Sequence, residues 1–349
     1  MYFIKETLDA NGRDAGSKAV ADVNVILERN GANSINVICE RTKHGLRLHI
    51  FNAMYIRQNI KEAGLQKKDT LFLQTPLRAH TVFLSCVIRK LQRDGIKVVL
   101  LVHDLNFIRS GNKVRSKRGW NKRIYIEEIS ILKCADAVIV HNEQMKKLLF
   151  RYGITEKKMI SLKIFDYLMD RKKIHFVDKK LDRECRVVIA GNLIPEKSGY
   201  VYKLPQKVEF VLYGENYVMQ DKANVHYMGS FLPEELPFVV EGDFGLVWDG
   251  DSIDSCSGDY GEYLRYNSPH KTSLYLACGL PVITWREAAI SDFIRQNNVG
   301  ILLESLNELQ KVLQGISMES YMTMKRNAEK LAITLMEGGF LEKALRIIG

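Results

Sequence analysis

Cysteine is sparse and scattered: Cys39, Cys86, Cys134, Cys185, Cys256 and Cys278 never stand closer than 22 positions apart. No Cys-x-x-Cys pair exists, which excludes zinc ribbons and dithiol redox motifs and leaves reduced, mostly buried thiols. Proline numbers only 7 in 349 residues, and with 46% hydrophobic and 26% charged residues the chain is neither collagen-like, low-complexity nor disordered. No apolar run approaches the roughly 18 residues a bilayer span needs, and residues 1–10 lack the basic-then-apolar pattern of a signal peptide. A cytoplasmic protein is expected. Gly-x-Gly-x-x-Gly and Gly-x-x-x-x-Gly-Lys-Ser/Thr are missing too, so the dinucleotide and P-loop fingerprints fall away.

Positive charge, by contrast, is abundant. The formal net charge of +10 favours an anionic partner (a phosphorylated substrate, a membrane surface or nucleic acid), the alternative being a merely soluble basic surface. It is unevenly spread: Arg109, Lys113, Arg115, Lys117, Arg118, Lys122 and Arg123 form a basic loop without an acid. Glu241, Asp243, Asp249, Asp251, Asp254, Asp259 and Glu262 form an acidic loop without a base.

At about 150 residues per domain the length predicts two domains. Short apolar runs at 2–4, 35–38, 70–73, 98–103 and 137–141 read as strands, with helical patterns such as 16–30 and 81–94 between them. A second series follows, with strands at 186–190, 208–213, 225–228, 244–248, 280–284 and 300–303 and helices at 233–240, 269–278 and 288–297. This α/β alternation predicts two doubly wound parallel sheets with a ligand cleft between their carboxyl-edge loops. The expected division is 1–168, a polar linker at 169–184, a second domain at 185–318, and closing helices at 319–349.

The segment from Tyr266 to Ile283 carries the clearest chemistry. Ser268 suits an N-cap, Pro269 the first helical position, and Gly279 the stop before Pro281. Lys271 and Thr272 then lie in a first turn with free N–H groups, flanked by Asn267 and His270, which makes a phosphate site. The plain alternative is a capped helix whose Lys271 meets only solvent. Near the start, Gly12 and Gly16 allow close backbone approach to a ligand, and Asp14 is either a helix N-cap or a carboxylate able to accept a proton. Gly191, Asn192 and Lys197 repeat the strand-then-small-loop pattern in the second half, and Tyr213 with Gly214 ends another strand at the same edge. Each alone fits an ordinary tight turn; together they line one rim.

Asp249-Gly-Asp251 looks like the Asp-x-Asp of metal-dependent sugar transferases. With a basic residue already at a helix start, the diphosphate needs no cation, and these acids are expected to hold sugar hydroxyls or face water. His103-Asp104 closes a first-domain strand, with His103 read as a structural histidine and Asp104 as a second candidate base.

Tyr2-Phe-Ile, Arg13-Asp-Ala-Gly16, Val102-His-Asp104, Lys163-Ile-Phe-Asp-Tyr167, Ala190-Gly-Asn-Leu193, Gly245-Leu-Val-Trp-Asp-Gly-Asp-Ser252 and Asn267-Ser-Pro-His-Lys-Thr-Ser-Leu-Tyr275 together resemble bacterial β-1,6-galactofuranosyltransferases of O-antigen synthesis. The segment around Lys271 is more distantly similar to glucosyltransferases of serine-rich adhesins. The resemblance covers nearly the whole chain. It implies a GT-B fold, with acceptor on the first Rossmann-like domain, sugar nucleotide on the second, no required metal or cofactor, and UDP-galactofuranose as donor. Lys271 and its helix start would hold the diphosphate, Lys197 would assist, Gly191 and Asn192 would contact the nucleotide, and Asp14 would be the base.

A transferase using UDP-galactofuranose on a lipid-linked glycan is the leading expectation, with the same fold using UDP-glucose or UDP-galactopyranose as its rival. Arg115, Lys117, Arg118, Trp120, Lys122 and Arg123 would then meet the acceptor's carrier or an anionic membrane surface, or else stand solvated. A nucleic-acid-binding protein is the alternative from another class; no recognised nucleic-acid module is present, and nucleic acid is not an expected partner. Oligomerisation stays open.

Overall fold

A computed structural model describes residues 1–6, 15–38, 45–109, 120–173, 176 and 185–349, with backbone alone at 15 and 120–122. Contacts divide it into two units, one of Met1–Gly12, Val23–Leu162 and Glu342–Gly349, the other of Arg13–Asp22 and Lys163–Leu341.

The first unit is built on six parallel strands: β1 (Tyr2–Glu6), β2 (Asn33–Val37), β3 (Thr70–Thr75), β4 (Lys97–Val102), β5 (Ala137–Val140) and β6 (Met159–Ser161). They lie in the order β2-β1-β3-β4-β5-β6. Its central strands read Leu-Phe-Leu, Val-Val-Leu-Leu-Val and Ala-Val-Ile-Val because helices cover both faces, leaving no polar side. Helix Leu84–Arg93 buries Leu84, Val87, Ile88 and Leu91, one helical face at i, i+3, i+4 and i+7. Helix Glu143–Arg151 starts at Asn142, whose side chain accepts the Met145 N–H at 3.0 Å. Lys97 Nζ donates to the Ile348 carbonyl at 2.6 Å, tying the chain's last helix to this sheet.

The second unit repeats the plan with β7 (Arg186–Ala190), β8 (Glu209–Tyr213), β9 (Val225–Tyr227), β10 (Phe244–Val247), β11 (Val282–Trp285) and β12 (Gly300–Leu303), ordered β12-β11-β10-β7-β8-β9. Every pairing in both sheets is parallel, and the eleven strands expected from the apolar runs are present. β6, Met-Ile-Ser, is a twelfth among the described residues, with two apolar residues beside the polar Lys157 and Lys158 and so no apolar run to mark it. The C-terminal segment is helical as expected, as Met318–Glu337 and Gly339–Ile348, separated at Gly338 with φ 92°.

Two charge segments differ from the loops expected. The acidic one comprises β10, a turn and helix Gly258–Tyr263, with Asp243 and Asp249 buried. The basic one runs into helix Trp120–Cys134, so Arg123 is a helical residue. Arg115, Lys117 and Arg118 lie outside the described residues, as do the side chains of Trp120 and Lys122.

Residues Lys163–Tyr167 join the second unit through buried and part-buried hydrogen bonds. Ser268 Oγ donates to the Lys163 carbonyl at 2.9 Å and Ser273 Oγ to that of Phe165 at 2.7 Å. The Asp166 carboxylate accepts the N–H groups of Phe340 and Leu341 at 3.0 and 2.8 Å, capping the last helix. Residues 15–22 belong to the same unit: Lys18 pairs with Asp22 and donates to the Leu168 carbonyl at 2.8 Å. Asp22 in turn accepts the Leu168 N–H at 2.9 Å.

Candidate functional site

Because the strands of the second sheet are parallel, the loops after β7, β8 and β10 leave one edge, the edge at which open α/β sheets bind ligands. Gly191 follows β7 and Gly214 follows β8, with φ of 136° and 148°. A side chain on Gly214 would overlap the Gly191 carbonyl oxygen, so the glycine at 214 lets these loops touch backbone to backbone. Asn192 fixes the first loop: its Oδ1 accepts the Ile194 N–H at 3.1 Å and the Asn216 amide at 3.0 Å.

Tyr275 braces the same edge from below. Its ring occupies the space a Gly245 side chain would fill, and its hydroxyl accepts the Ala190 N–H at 2.7 Å, one residue before Gly191. The helix that carries it, His270–Ala277, is almost wholly buried. The start of this helix differs by one residue from the expected pattern. Pro269 is the cap, with an extended ψ of 135°, and the Ser268 hydroxyl is spent on Lys163 rather than on the helix. Gly279 does follow the end, at φ 71°.

Lys271 points from the first turn to the loop after β10. Its Nζ donates to the Trp248 carbonyl at 2.7 Å and to Asp249 Oδ1 at 2.8 Å, both side chains nearly buried. Asp251 turns elsewhere, accepting the Ser257 hydroxyl at 2.6 Å, a bond that holds its carboxyl below the ordinary range. The two carboxylates of the Asp-x-Asp therefore have separate partners, and no cluster of three or more metal-ligating side chains occurs among the described residues. Lys197 stands 5.9 Å from the Tyr260 ring centroid, and its carbonyl accepts the Gly250 N–H at 2.7 Å. Tyr213 donates its hydroxyl to the Val239 carbonyl at 3.0 Å, away from this edge.

Around Lys271 the interior holds polar atoms with no hydrogen-bond partner among the described residues: Asn267 Oδ1, Thr272 Oγ1 and the Tyr200 hydroxyl. Burial, then the Asp249 charge, pushes the Tyr200 hydroxyl well above its ordinary pKa, so it remains a neutral donor. An orphaned buried hydroxyl costs about 1–3 kcal/mol, and a bound ligand that supplies its partner recovers that cost. Nothing in the sequence pattern singles out Tyr200. His270 packs with its ring centroid 5.0 Å from that of Tyr167; burial and the nearby Lys18 ammonium lower its pKa to about 3, which keeps it neutral. The structure thus brings Gly191, Asn192, Lys197, Gly214, Asp249, Lys271 and Thr272 to one unit, with Gly16 exposed on helix Ala15–Arg29.

Of the candidate bases, Asp14 lies outside the described residues. Asp104, in the first unit, accepts Arg109 at 2.8 Å. Its neighbour His103 is held by Gln74 Oε1 at 2.7 Å and its carbonyl by the His141 ring at 3.0 Å, the structural role expected of it.

Residues 1–164 match the glucosyltransferase 3-like N-terminal domain and residues 187–348 the glucosyltransferase 3-like C-terminal domain. The chain is 32% identical to the β-1,6-galactofuranosyltransferase WbbI of Escherichia coli K12 over 99% of this chain and 97% of that protein. It is 27% identical to glucosyltransferase 3 of Streptococcus gordonii over 79% of this chain and 78% of that protein. Among solved structures, Anabaena HepE in complex with UDP superposes with a TM-score of 0.60 at 12% identity, covering 99% of this chain and 98% of that one. This likeness and the two parallel six-stranded sheets identify the fold as GT-B, two Rossmann-like domains.

Proposed function

Because the chain belongs to the glucosyltransferase 3-like family, and is therefore a glycosyltransferase, we propose that it transfers galactofuranose from UDP-galactofuranose to a hydroxyl of a glycan acceptor in surface-polysaccharide synthesis. The observation that carries the donor assignment is Lys271 at a helix start among unpartnered buried polar groups. Its ammonium and the helix N–H groups suit a diphosphate. The full-length relative named a galactofuranosyltransferase supports the sugar, and the fold shared with a UDP-bound structure supports the nucleotide.

The chemistry follows from these groups. A base takes the acceptor's hydroxyl proton, the oxygen bonds to the anomeric carbon, and the bond from that carbon to the phosphate oxygen breaks, leaving UDP with the added negative charge. Lys271 and the helix start stabilise that charge. Asp14 is the proposed base; residues 1–168 are proposed to bind the acceptor and 185–318 the donor. The diphosphate sites need no cation in this reading.

A lipid-linked acceptor, met at a membrane surface, is the finer proposal. Helix Gly45–Glu62 supports it by exposing Leu46 (62%), Ile50 and Met54 (68%) at helical spacing, with Arg47 and Arg57 exposed on the same helix. No described helix is long and apolar enough to cross a membrane.

A melting-temperature screen against UDP, UDP-galactofuranose, UDP-glucose, GDP and NAD tests the donor class. A ligand at 100 times its dissociation constant stabilises by about 2.7 kcal/mol. UDP compounds should raise Tm and GDP and NAD should not. A larger rise with UDP-glucose than with UDP-galactofuranose would replace the sugar.

A further inference from the structure

The first unit contains a polar cluster assembled from three separate segments. His49 and Asn52 lie on helix Gly45–Glu62, His80 follows β3, and Arg123 and Glu127 lie on helix Trp120–Cys134. One guanidinium nitrogen, Arg123 Nη1, stands 3.3 Å from His49 Nε2 and 3.3 Å from His80 Nδ1. The rings are 5.3 Å apart between centroids. Glu127 lies 3.9 Å from both Arg123 and His80. The backbone is locked around them: Thr81 Oγ1 donates to the His49 carbonyl at 2.6 Å and the Asn52 amide to that of His80 at 3.0 Å.

Arginine only donates, so both ring nitrogens facing it must accept. Both imidazoles are then neutral, and their hydrogens sit on the far nitrogens, His49 Nδ1 and His80 Nε2. Burial and the Arg123 charge lower both histidine pKa values, in keeping with that state. Among the described residues, His49 Nδ1 is buried without a well-formed hydrogen bond and Asn52 Oδ1 is buried with no donor. His80 is 39% exposed, so the cluster has an opening.

Among the described residues the buried groups without a partner are therefore one N–H donor, His49 Nδ1, and one amide acceptor, Asn52 Oδ1; the partly exposed His80 adds an Nε2–H donor, with a carboxylate close by. A phosphate is anionic and mainly an acceptor at neutral pH, and would bring its charge against Glu127 and its acceptors against Asn52 Oδ1 at a cost. A hydroxyl both donates and accepts, and vicinal hydroxyls meet this mixture. We propose that His49, Asn52 and His80 form a sugar-hydroxyl subsite, with Arg123 the positioning residue that fixes both imidazole tautomers. The inference rests on the glycosyltransferase reading in one respect: it makes the bound sugar part of the acceptor.

Histidine ¹⁵N NMR of the whole chain, in a phosphate-free buffer near pH 7, tests it. The wild type should show His49 as the Nδ1–H tautomer and His80 as the Nε2–H tautomer. Methyl β-D-galactopyranoside or methyl β-D-glucopyranoside should shift the His80 Nε2 signal, and inorganic phosphate should not. Asn52→Ala should weaken the glycoside response about tenfold. His80→Leu should abolish it, and His80→Gln, which keeps an amide donor, should restore part of it. Arg123→Leu should mix the tautomers. Absence of a glycoside shift in the wild type, a shift with phosphate, or mixed tautomers in the wild type each overturns the subsite. UDP titration by calorimetry separates the two readings: glycoside binding without UDP binding sinks the donor proposal alone, and UDP binding without glycoside binding sinks the subsite alone.

Discussion

Lys271 Nζ stands 2.8 Å from Asp249 Oδ1, so the cation proposed to meet the donor's diphosphate is already held by a nearly buried carboxylate. Asp249 aims the lysine and at the same time competes with the phosphate for it. Removing one partner of such a pair strands the other's charge, which separates stability from binding.

Lys271→Ala should weaken UDP binding by roughly 1.5–3 kcal/mol, raising the dissociation constant about 10- to 150-fold. It should also lower Tm, because Asp249 is left unpaired. Adding Asp249→Asn should recover most of the Tm and none of the affinity. Normal UDP affinity of the double variant in calorimetry would remove Lys271 from the site.

Transfer should survive EDTA, since Asp249 is engaged by Lys271 and Asp251 by Ser257. Loss of activity with chelator and its return with manganese would make these two carboxylates metal ligands.

Asp14→Asn keeps a capping oxygen and cannot accept a proton at neutral pH. The variant should fold, bind UDP, and turn over roughly 10²-fold more slowly. Near-normal turnover would return Asp14 to capping and make Asp104, now paired with Arg109, the base to test next.

Glu128 predicts a pH dependence of stability. It is buried, accepts the Asn106 and Phe107 N–H groups at 3.1 Å each, and burial lifts its pKa from 4.5 to about 7. The fold therefore binds this proton more tightly than the unfolded chain does, so stability should fall as pH rises from about 4.5 through about 7. Asp22, lifted to about 6, acts in the same direction. Glu128→Gln should flatten the decline by about 1–3 kcal/mol in denaturant titrations at pH 5 and pH 8. An unchanged slope would mean that Glu128 ionises as readily in the fold as outside it.

Eleven strands were legible because each lies in a short apolar run bounded by glycine or polar residues, a pattern that parallel sheets covered on both faces favour; β6 was not. Helix Gly45–Glu62 was not, because Leu46, Ile50 and Met54 are exposed while His49 and Asn52 are buried, which blurs its period. Around Lys271, proline and glycine punctuation announced the helix. The cap slipped by one residue because Ser268 had a partner far along the chain, Lys163. Tyr200 and the His49, His80 and Arg123 cluster left no local trace: they depend on contacts between distant segments, Arg123 and His49 being 74 residues apart.

The bond from Lys97 to the Ile348 carbonyl has a consequence for biosynthesis. Residues 342–349 group with the sheet made first, yet the ribosome reaches them only after the whole second sheet. A nascent chain stalled in the last helix would carry a first unit still missing its final piece, and a single protease cut near residue 170 would not yield two self-contained halves. A bulky insertion within residues 342–349 would therefore disturb the older sheet rather than the younger one.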